Sequence, residues 1–210
     1  MQNKYDYWAF KNVIDSKTCD KIISMGNERI KSTNSEATIL SEDNKKGNLI
    51  KKEIRKSKVS WFNDQWIYDL LYPYLNNANE NAGWKYEHEV SEHIQFTKYG
   101  LNEYYGWHTD GYSDHHNIFN RENTAYDNYI GKVRKLSMSV NLCNSEDYEG
   151  GDLKFQTISG DGTKVILDCD EIKSKGSVVV FPSYVSHTIT PITKGERYSL
   201  VMWTLGRPFK

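Results

Sequence analysis

Residues able to face a core recur at helical spacing twice near the start of the chain, and at a period of two thereafter. Over residues 15–31, Cys19, Ile22, Ile23, Gly26 and Ile30 share one face behind Asp15 and Ser16, either of which can cap, and this predicts an amphipathic helix. A second helix is expected behind Asn63 and Asp64, with Trp66, Ile67, Leu70, Leu71 and Tyr74 on one face and Pro73 kinking it near its end. From Trp84 the pattern alternates: Trp84 to Val90, Ile94 to Tyr99 and Tyr104 to Asp110 read as strands. Further strand-like runs lie at Val59 to Phe62, Lys135 to Cys143, Asp152 to Gln156, Lys164 to Leu167, Ser177 to Phe181, Val185 to Thr190 and Arg197 to Leu205. Two helices followed by many short strands predict a mostly β fold, a sandwich or barrel with helices packed against one side.

Three segments break the alternation. Residues 111–133 form a long polar and aromatic insertion carrying His115, His116, Phe119, Arg121, Tyr126 and Tyr129, and a loop of that length in a compact domain reads as a lid or binding loop. Its adjacent histidines point to opposite faces if extended, so a solvated loop is a better reading for them than a second metal site. Tyr148-Glu149-Gly150-Gly151 reads as a hairpin turn in which glycine permits positive φ. Residues 45–58 hold seven basic side chains, Lys45, Lys46, Lys51, Lys52, Arg55, Lys56 and Lys58, against one acid, Glu53. With no aromatics interleaved for base stacking, the run reads as a solvated loop entering a strand.

Composition narrows the classes. At 210 residues the chain suits a single domain, which at this size buries about 70% of its unfolded surface and needs no disulfide or metal staple to fold. Its 27 Lys and Arg against 28 Asp and Glu leave a formal charge of −1, so no global field attracts nucleic acid or anionic lipid, and general nucleic-acid binding is not expected. Cys19, Cys143 and Cys169 are odd in number and widely spaced, which fits a reducing compartment. The first residues lead into no apolar signal region and no apolar run approaches the roughly 18 residues of a membrane span, so a soluble, unprocessed, cytoplasmic protein is expected.

The chemistry begins with His108-Thr109-Asp110. Residues two apart on a strand face the same side, so this imidazole and carboxylate can address one metal ion. Such a pair occurs about once by chance in a chain of this composition, and alone it is outweighed by a plain hydrogen-bonded histidine. The stretch from Gly176 to His187, followed by Arg197-Tyr198-Ser199, changes that balance. A turn at Lys194-Gly195 would set His187 and Arg197 on antiparallel neighbours, roughly 16 Å apart along the strand. The arginine side chain and a five-carbon dicarboxylate such as 2-oxoglutarate can together fill that gap, with Ser199 adding a hydroxyl donor. Two histidines and an aspartate suit Fe(II) and leave positions open for a 2-oxo acid and dioxygen, whereas structural zinc would want a fourth ligand that no cysteine here is spaced to supply.

On these residues the chain resembles the 2-oxoglutarate and Fe(II)-dependent dioxygenases, and within them the prolyl 4-hydroxylase-like branch of PKHD-type hydroxylases. The likeness runs from about Ile54 to Phe209. It is carried by Arg55 to Phe62, by Gln95 to Asp110 with Tyr99 and Tyr105, by Arg134-Lys135-Leu136-Ser137, by Tyr148 to Leu153 and by Gly176 to Leu205. The resemblance implies a double-stranded β-helix, the cupin-like jelly roll, with N-terminal helices packed on it. One domain would then span residues 1–210, a helical buttress to about residue 83, a jelly-roll core from about 84, and the 111–133 insertion as lid. It implies His108, Asp110 and His187 as iron ligands, Arg197 as anchor of the distal 2-oxoglutarate carboxylate, and Tyr99 as a further contact to that cosubstrate. It implies hydroxylation of a C–H bond coupled to conversion of 2-oxoglutarate and dioxygen to succinate and CO₂, with ascorbate as reductant. Collagen-type prolyl hydroxylases resemble this chain but carry lysine at the Arg197 position. Bacterial PKHD-type members continue into a C-terminal helical extension, whereas this sequence ends at Lys210.

The substrate is expected to be a prolyl or other residue of a peptide or protein, or a small molecule. Two other readings use the same scaffold: oxidative demethylation of nucleic-acid bases, supported by the 45–58 run alone, and a non-catalytic jelly-roll module. The second has no reason to keep His108, Asp110, His187 and Arg197 together.

Overall fold

The computed structural model describes residues 5–33, 54–111 and 118–209. In chain order the elements are β1 (Trp8–Phe10), α1 (Ser16–Thr33), β2 (Arg55–Lys56), β3 (Lys58–Phe62), α2 (Gln65–Asn81), β4 (Val90–Ser91), β5 (Ile94–Tyr99), β6 (Tyr104–His108) and β7 (Val133–Asn141). There follow β8 (Tyr148–Gly150), β9 (Leu153–Ile158), β10 (Lys164–Asp168), β11 (Val178–Pro182), β12 (Ser186–Ile189), β13 (Ile192–Gly195) and β14 (Arg197–Gly206). One seven-stranded sheet runs β1-β11-β7-β14-β5-β3 with β4 also on β14; a five-stranded sheet runs β10-β9-β12-β6-β2; β13 and β8 form a two-stranded ribbon. The pairings are antiparallel throughout, which gives the jelly roll expected from the sequence. No helix among the described residues is long and apolar enough to cross a membrane.

Both helices cover the outer face of the larger sheet. Asp15 caps α1, its carboxylate accepting from Thr18 N at 2.9 Å and Thr18 Oγ1 at 2.7 Å. Cys19, Ile22 and Ile30 of α1 and Ile67, Leu71, Leu75 and Ala78 of α2 then join Phe62, Ile94, Phe96, Met138, Val140, Leu200 and Met202 in one core. Each fully buried large side chain there contributes about 1.5–3 kcal/mol. Glycine matters where α1 crosses the sheet: a Cβ on Gly26 would stand 2.5 Å from the Phe96 ring, and Ser60 Oγ donates to Gly26 O at 3.2 Å from β3.

Several sequence expectations are corrected. Pro73 lies inside α2, not near its end, because buried Leu71, Leu75 and Ala78 hold the helix on both sides of the one hydrogen bond proline removes. Asp64 stands at the N-cap but makes no side-chain cap; its carboxylate pairs with Arg29 at 2.8 Å instead. Of the Trp84 to Val90 run only Val90 is in a strand, the two-residue β4. Lys85 takes a positive φ of 54°, and Tyr86 spends its backbone on the Asn79 side chain at 3.0 and 2.9 Å rather than on a ladder. Tyr148–Gly150 is not a hairpin turn but a strand paired with β13, and its glycines bend the chain afterwards with φ of 75° and 63°.

The largest correction concerns the end of the chain. His187 and Arg197 are not on neighbouring strands: β12 lies in the five-stranded sheet between β9 and β6, whereas β14 lies in the seven-stranded sheet between β7 and β5. The intervening β13 turns away to pair with β8, so the chain crosses from one sheet to the other between the two residues. Nor is residues 45–58 a solvated loop throughout. Lys45, Lys46, Lys51 and Lys52 lie outside the described residues, but Arg55 and Ser57 are buried and Arg55–Lys56 pairs with β6.

Gly26→Ala separates packing from helix propensity. Alanine favours an isolated helix by about 1 kcal/mol, whereas overpacking against Phe96 costs about 1–3 kcal/mol. We expect the melting temperature to fall by several degrees; a rise would show that α1 does not bear on Phe96.

Candidate active site

The strand β6 ends at His108, so Asp110 reaches the site from a bend rather than from the strand alternation expected. What fixes it is the backbone of Ser183, whose carbonyl accepts from Asp110 N at 2.9 Å and Gly111 N at 2.8 Å. His187 stands on β12 with its Cα directly opposite that of His108. Asp110 Oδ1 then lies 3.7 Å from His108 Nε2 and Asp110 Oδ2 lies 3.5 Å from His187 Nε2. The three ligand atoms all fall within 4.8 Å of one another, the separation that a single metal ion can bridge.

The hydrogen bonds fix the protonation this requires. His108 Nδ1 donates to Gly106 O at 2.8 Å and His187 Nδ1 to Val185 O at 2.9 Å, so both rings carry their proton on Nδ1 and present the Nε2 lone pair inward. Burial, and then the neighbouring His187, push the His108 pKa well below its ordinary value and keep that ring neutral. Burial alone would raise Asp110, but the two imidazoles and the Arg134 guanidinium outweigh it and hold the carboxyl below the usual carboxylate range.

A second layer orders Asp110. Ser137 Oγ donates to Asp110 Oδ2 at 2.8 Å and lies 3.0 Å from Ser183 Oγ. Arg134 Nη1 donates to the Asp110 carbonyl at 3.1 Å, while its Nε and Nη2 form a forked pair with Glu92 at 2.5 and 2.8 Å and its guanidinium lies 4.3 Å over the Trp203 ring. Arg134 and Ser137 were visible in the sequence only as part of a family likeness. Ser183 too lay only within a stretch of that likeness, and Glu92 carried no signal, since their roles depend on pairings across 46 and 42 residues.

Arg197 opens β14 on the same face of the strand as Ser199 and Trp203, and Trp203 is the register partner of Ser137. That face holds Asp110 at one end and the guanidinium at the other. Arg197 is 1% exposed. It has no ion pair among the described residues, and its Nε and Nη2 have no hydrogen-bond partner; Nη1 reaches Ser199 Oγ at 3.4 Å. Glu196, the obvious surface partner, is taken by Lys98 at 2.7 Å. Tyr99 is buried directly across from Arg197, with the guanidinium 5.9 Å from its ring centroid. Gly151 makes room: its φ is 63°, and a Cβ there would meet Arg197 Cδ at 2.9 Å. A buried, always-charged fork with unpaired donors fits a carboxylate, and the three-ligand set fits Fe(II). Of the six sequence-predicted residues the structure gathers His108, Asp110 and His187 into one cluster, and sets Tyr99 and Ser199 beside Arg197.

The insertion is anchored elsewhere. In its described part Phe119 and Lys132 pair, with Phe119 N to Lys132 O at 2.9 Å and Gly131 N to Phe119 O at 2.8 Å, closing a loop around Tyr129. Tyr129 packs on Phe119 and Tyr126 and donates to Ser91 O at 3.3 Å. Tyr126 is exposed, so it does not plug the barrel. His115 and His116 lie outside the described residues.

Comparison with known proteins agrees with this geometry. The model of the 2OG-Fe(II) oxygenase superfamily matches residues 94–205, more than half of the chain. A PKHD-type hydroxylase of Alteromonas mediterranea is 36% identical over 109 residues, which are 51% of this chain and 41% of that protein. The chain thus spans about two fifths of the length of that curated relative. Among solved structures, a prolyl-4-hydroxylase of Pseudomonas putida superposes with a TM-score of 0.63 at 17% identity, covering 97% of this chain and 94% of that one. A prolyl hydroxylase of Trichoplax adhaerens, in complex with a peptide fragment of a hypoxia-inducible-factor degradation domain, gives 0.61 at 14% identity over 96% of this chain and 84% of that one. At these identities the structural likeness concerns the fold.

Alanine at His108, Asp110 or His187 is expected to abolish tight binding of Co(II) used as an Fe(II) substitute. Ser137→Ala, which leaves all three ligands in place, should weaken it by about tenfold. Calorimetric titration checks both; unchanged affinity in Ser137→Ala would show that the serine does not orient the aspartate.

Proposed function

We propose, starting from the fact that this chain belongs to the 2OG-Fe(II) oxygenase superfamily, that it is a 2-oxoglutarate- and Fe(II)-dependent hydroxylase acting on a C–H bond of a peptide or small-molecule substrate. The observation that carries the reading is Arg197. A fully buried guanidinium with two unpaired nitrogens, on the β14 face whose Trp203 is the register partner of the Ser137 that bonds Asp110, calls for an anionic partner. His108, Asp110 and His187 would hold Fe(II). Arg197 would take the distal carboxylate of 2-oxoglutarate, with Ser199 and Tyr99 flanking it. Bound iron with 2-oxoglutarate and dioxygen supplies the oxidising chemistry, yielding succinate and CO₂ beside the hydroxylated product. The protein's own share is geometric: imidazoles aimed by Gly106 and Val185, an aspartate oriented by Ser137, and a burial of Arg197 that would strengthen its contact with a carboxylate.

A peptide substrate is supported by the Trichoplax structure, whose bound ligand is a peptide fragment. The loop 118–133, rooted beside Glu92 and Ser91, is well placed to contact such a substrate at the open end of the roll. The base-demethylase alternative loses part of its support, because Arg55 is buried and not available to a nucleic-acid backbone.

The test is succinate release from 2-oxoglutarate with Fe(II) and ascorbate supplied, together with a mass-spectrometric screen of peptides and metabolites for one added oxygen atom. Arg197→Lys should raise the apparent KM for 2-oxoglutarate about tenfold while Co(II) affinity is retained, since lysine keeps the charge and loses the fork. Loss of metal binding in that variant would make Arg197 structural. Replacing residues 120–127 by a Gly-Ser linker should leave succinate release without substrate intact and abolish or redirect hydroxylation. A sharp drop in melting temperature together with loss of the 2-oxoglutarate-induced shift would make the loop part of the fold instead.

A further inference from the structure

Tyr105 and His108 are three positions apart on β6, and in a regular strand they would face opposite sides. They do not. His108 is the register partner of His187, yet Tyr105 is the partner of Ile189, so three steps along β6 match two along β12. The extra residue is a β-bulge, and it moves Tyr105 onto the face of His108. The two rings stack with centroids 3.5 Å apart and planes 12° from parallel. The Tyr105 backbone is pinned as well, its carbonyl accepting from Thr188 Oγ1 at 2.8 Å.

The Arg55 guanidinium lies over the same tyrosine, 4.6 Å from its centroid, because β2 pairs with β6 in the register that sets Arg55 opposite Tyr105. Arg55 is 5% exposed and forms no ion pair among the described residues. It is held by neutral acceptors: Ser57 Oγ at 2.9 Å, and Gln95 Oε1 and Thr97 Oγ1 at 3.5 Å each. Gln95 and Thr97 belong to β5, in the other sheet. Arg55 thus ties the edge of the smaller sheet to the larger one through a tyrosine that covers one histidine of the triad.

The two histidines are not equally supported. His187 is set in apolar core, with Phe181 at 4.7 Å and Phe155 at 6.2 Å between centroids. His108 has one hydrogen bond to its own strand, the His187 ring at 4.2 Å and the Tyr105 face. A single hydrogen bond from Nδ1 fixes the tautomer but leaves the ring free to tilt about it. We infer that Arg55 is a positioning residue for the metal site, clamping the Tyr105 ring onto His108 by a cation–π contact so that Nε2 stays aimed at the ion. The inference rests on the reading of His108 as an iron ligand. Guanidinium suits the task because it is weakly hydrated and stacks on aromatic faces while its N–H groups reach in-plane acceptors.

The clamp is tested by titrating Co(II) into the full chain and recording the visible bands of the bound ion. Arg55→Met, which keeps the side chain's bulk and removes the cation, should weaken Co(II) binding about tenfold and shift those bands. Arg55→Lys should fall between it and the wild type. Tyr105→Phe retains the stacking face and should match the wild type, whereas Tyr105→Leu should lose affinity as Arg55→Met does; this pair leaves Arg55 in place and decides the matter even where Arg55→Met fails to fold. Wild-type affinity and bands in Arg55→Met, or equal losses in Tyr105→Phe and Tyr105→Leu, would overturn the clamp. Tight Co(II) binding that survives His108→Ala would overturn the ligand reading beneath it, and the two failures are distinguishable because the latter appears with Arg55 and Tyr105 intact.

Discussion

A guanidinium held 1% exposed with two unpaired nitrogens forfeits several kcal/mol of hydration, and the structure around Arg197 is arranged to carry that loss. The residue opens β14, which lies between β7 and β5 in the larger sheet and so cannot swing outward. Tyr99 covers it from the neighbouring strand, and the glycine at 151 lets the backbone run close against its side chain. The cost is tolerable only because the packing elsewhere is dense and apolar. An anion reaching Arg197 would recover part of that loss, and ligand binding and folding stability would then be linked through this one side chain.

The same economy explains why the strands of the larger sheet alternate without having a wet side. In Leu136-Ser137-Met138-Ser139-Val140-Asn141 every residue is buried. Leucine, methionine and valine face the helices, while the serines and the asparagine face the interior of the roll. The polar row lines a lumen between two sheets. It provides hydroxyls such as Ser137 and Ser139 at no cost in packing on the helical side, and it lies between two apolar cores, one under the helices and one around Phe155 and Phe181.

Much of this was legible in the sequence. Period and capping gave both helices, and β5, β7, β9, β10, β11, β12 and β14 appear within a few residues of where alternation put them. The gathering of His108, Asp110 and His187 was legible from their residue types and the family likeness, although the strand geometry expected for them and for Arg197 was not the one observed. What was not legible depends on pairing at long range. Arg55 looked like one of seven surface bases, yet β2 carries it under Tyr105. Trp84 to Val90 alternates convincingly, but Asn79 captures its backbone before a ladder can form. His187 and Arg197 are close in sequence, and only the diversion of β13 onto β8 reveals that they belong to different sheets. Short strands such as β1 and β8 carry too few residues for any period to show.

The position of β1 bears on how the molecule comes to be folded. Trp8 pairs with Val180, and Tyr7, next to it, stacks on Phe155 of the other sheet at 4.8 Å. This short strand therefore fastens both sheets at one margin, across a loop that includes nearly every other element. The loop-closure entropy of such a contact is offset only when its partners already exist. In the order of assembly, β1 belongs at the end: the roll can form its central strands first and then be buckled shut along the margin where Trp8 meets Val180.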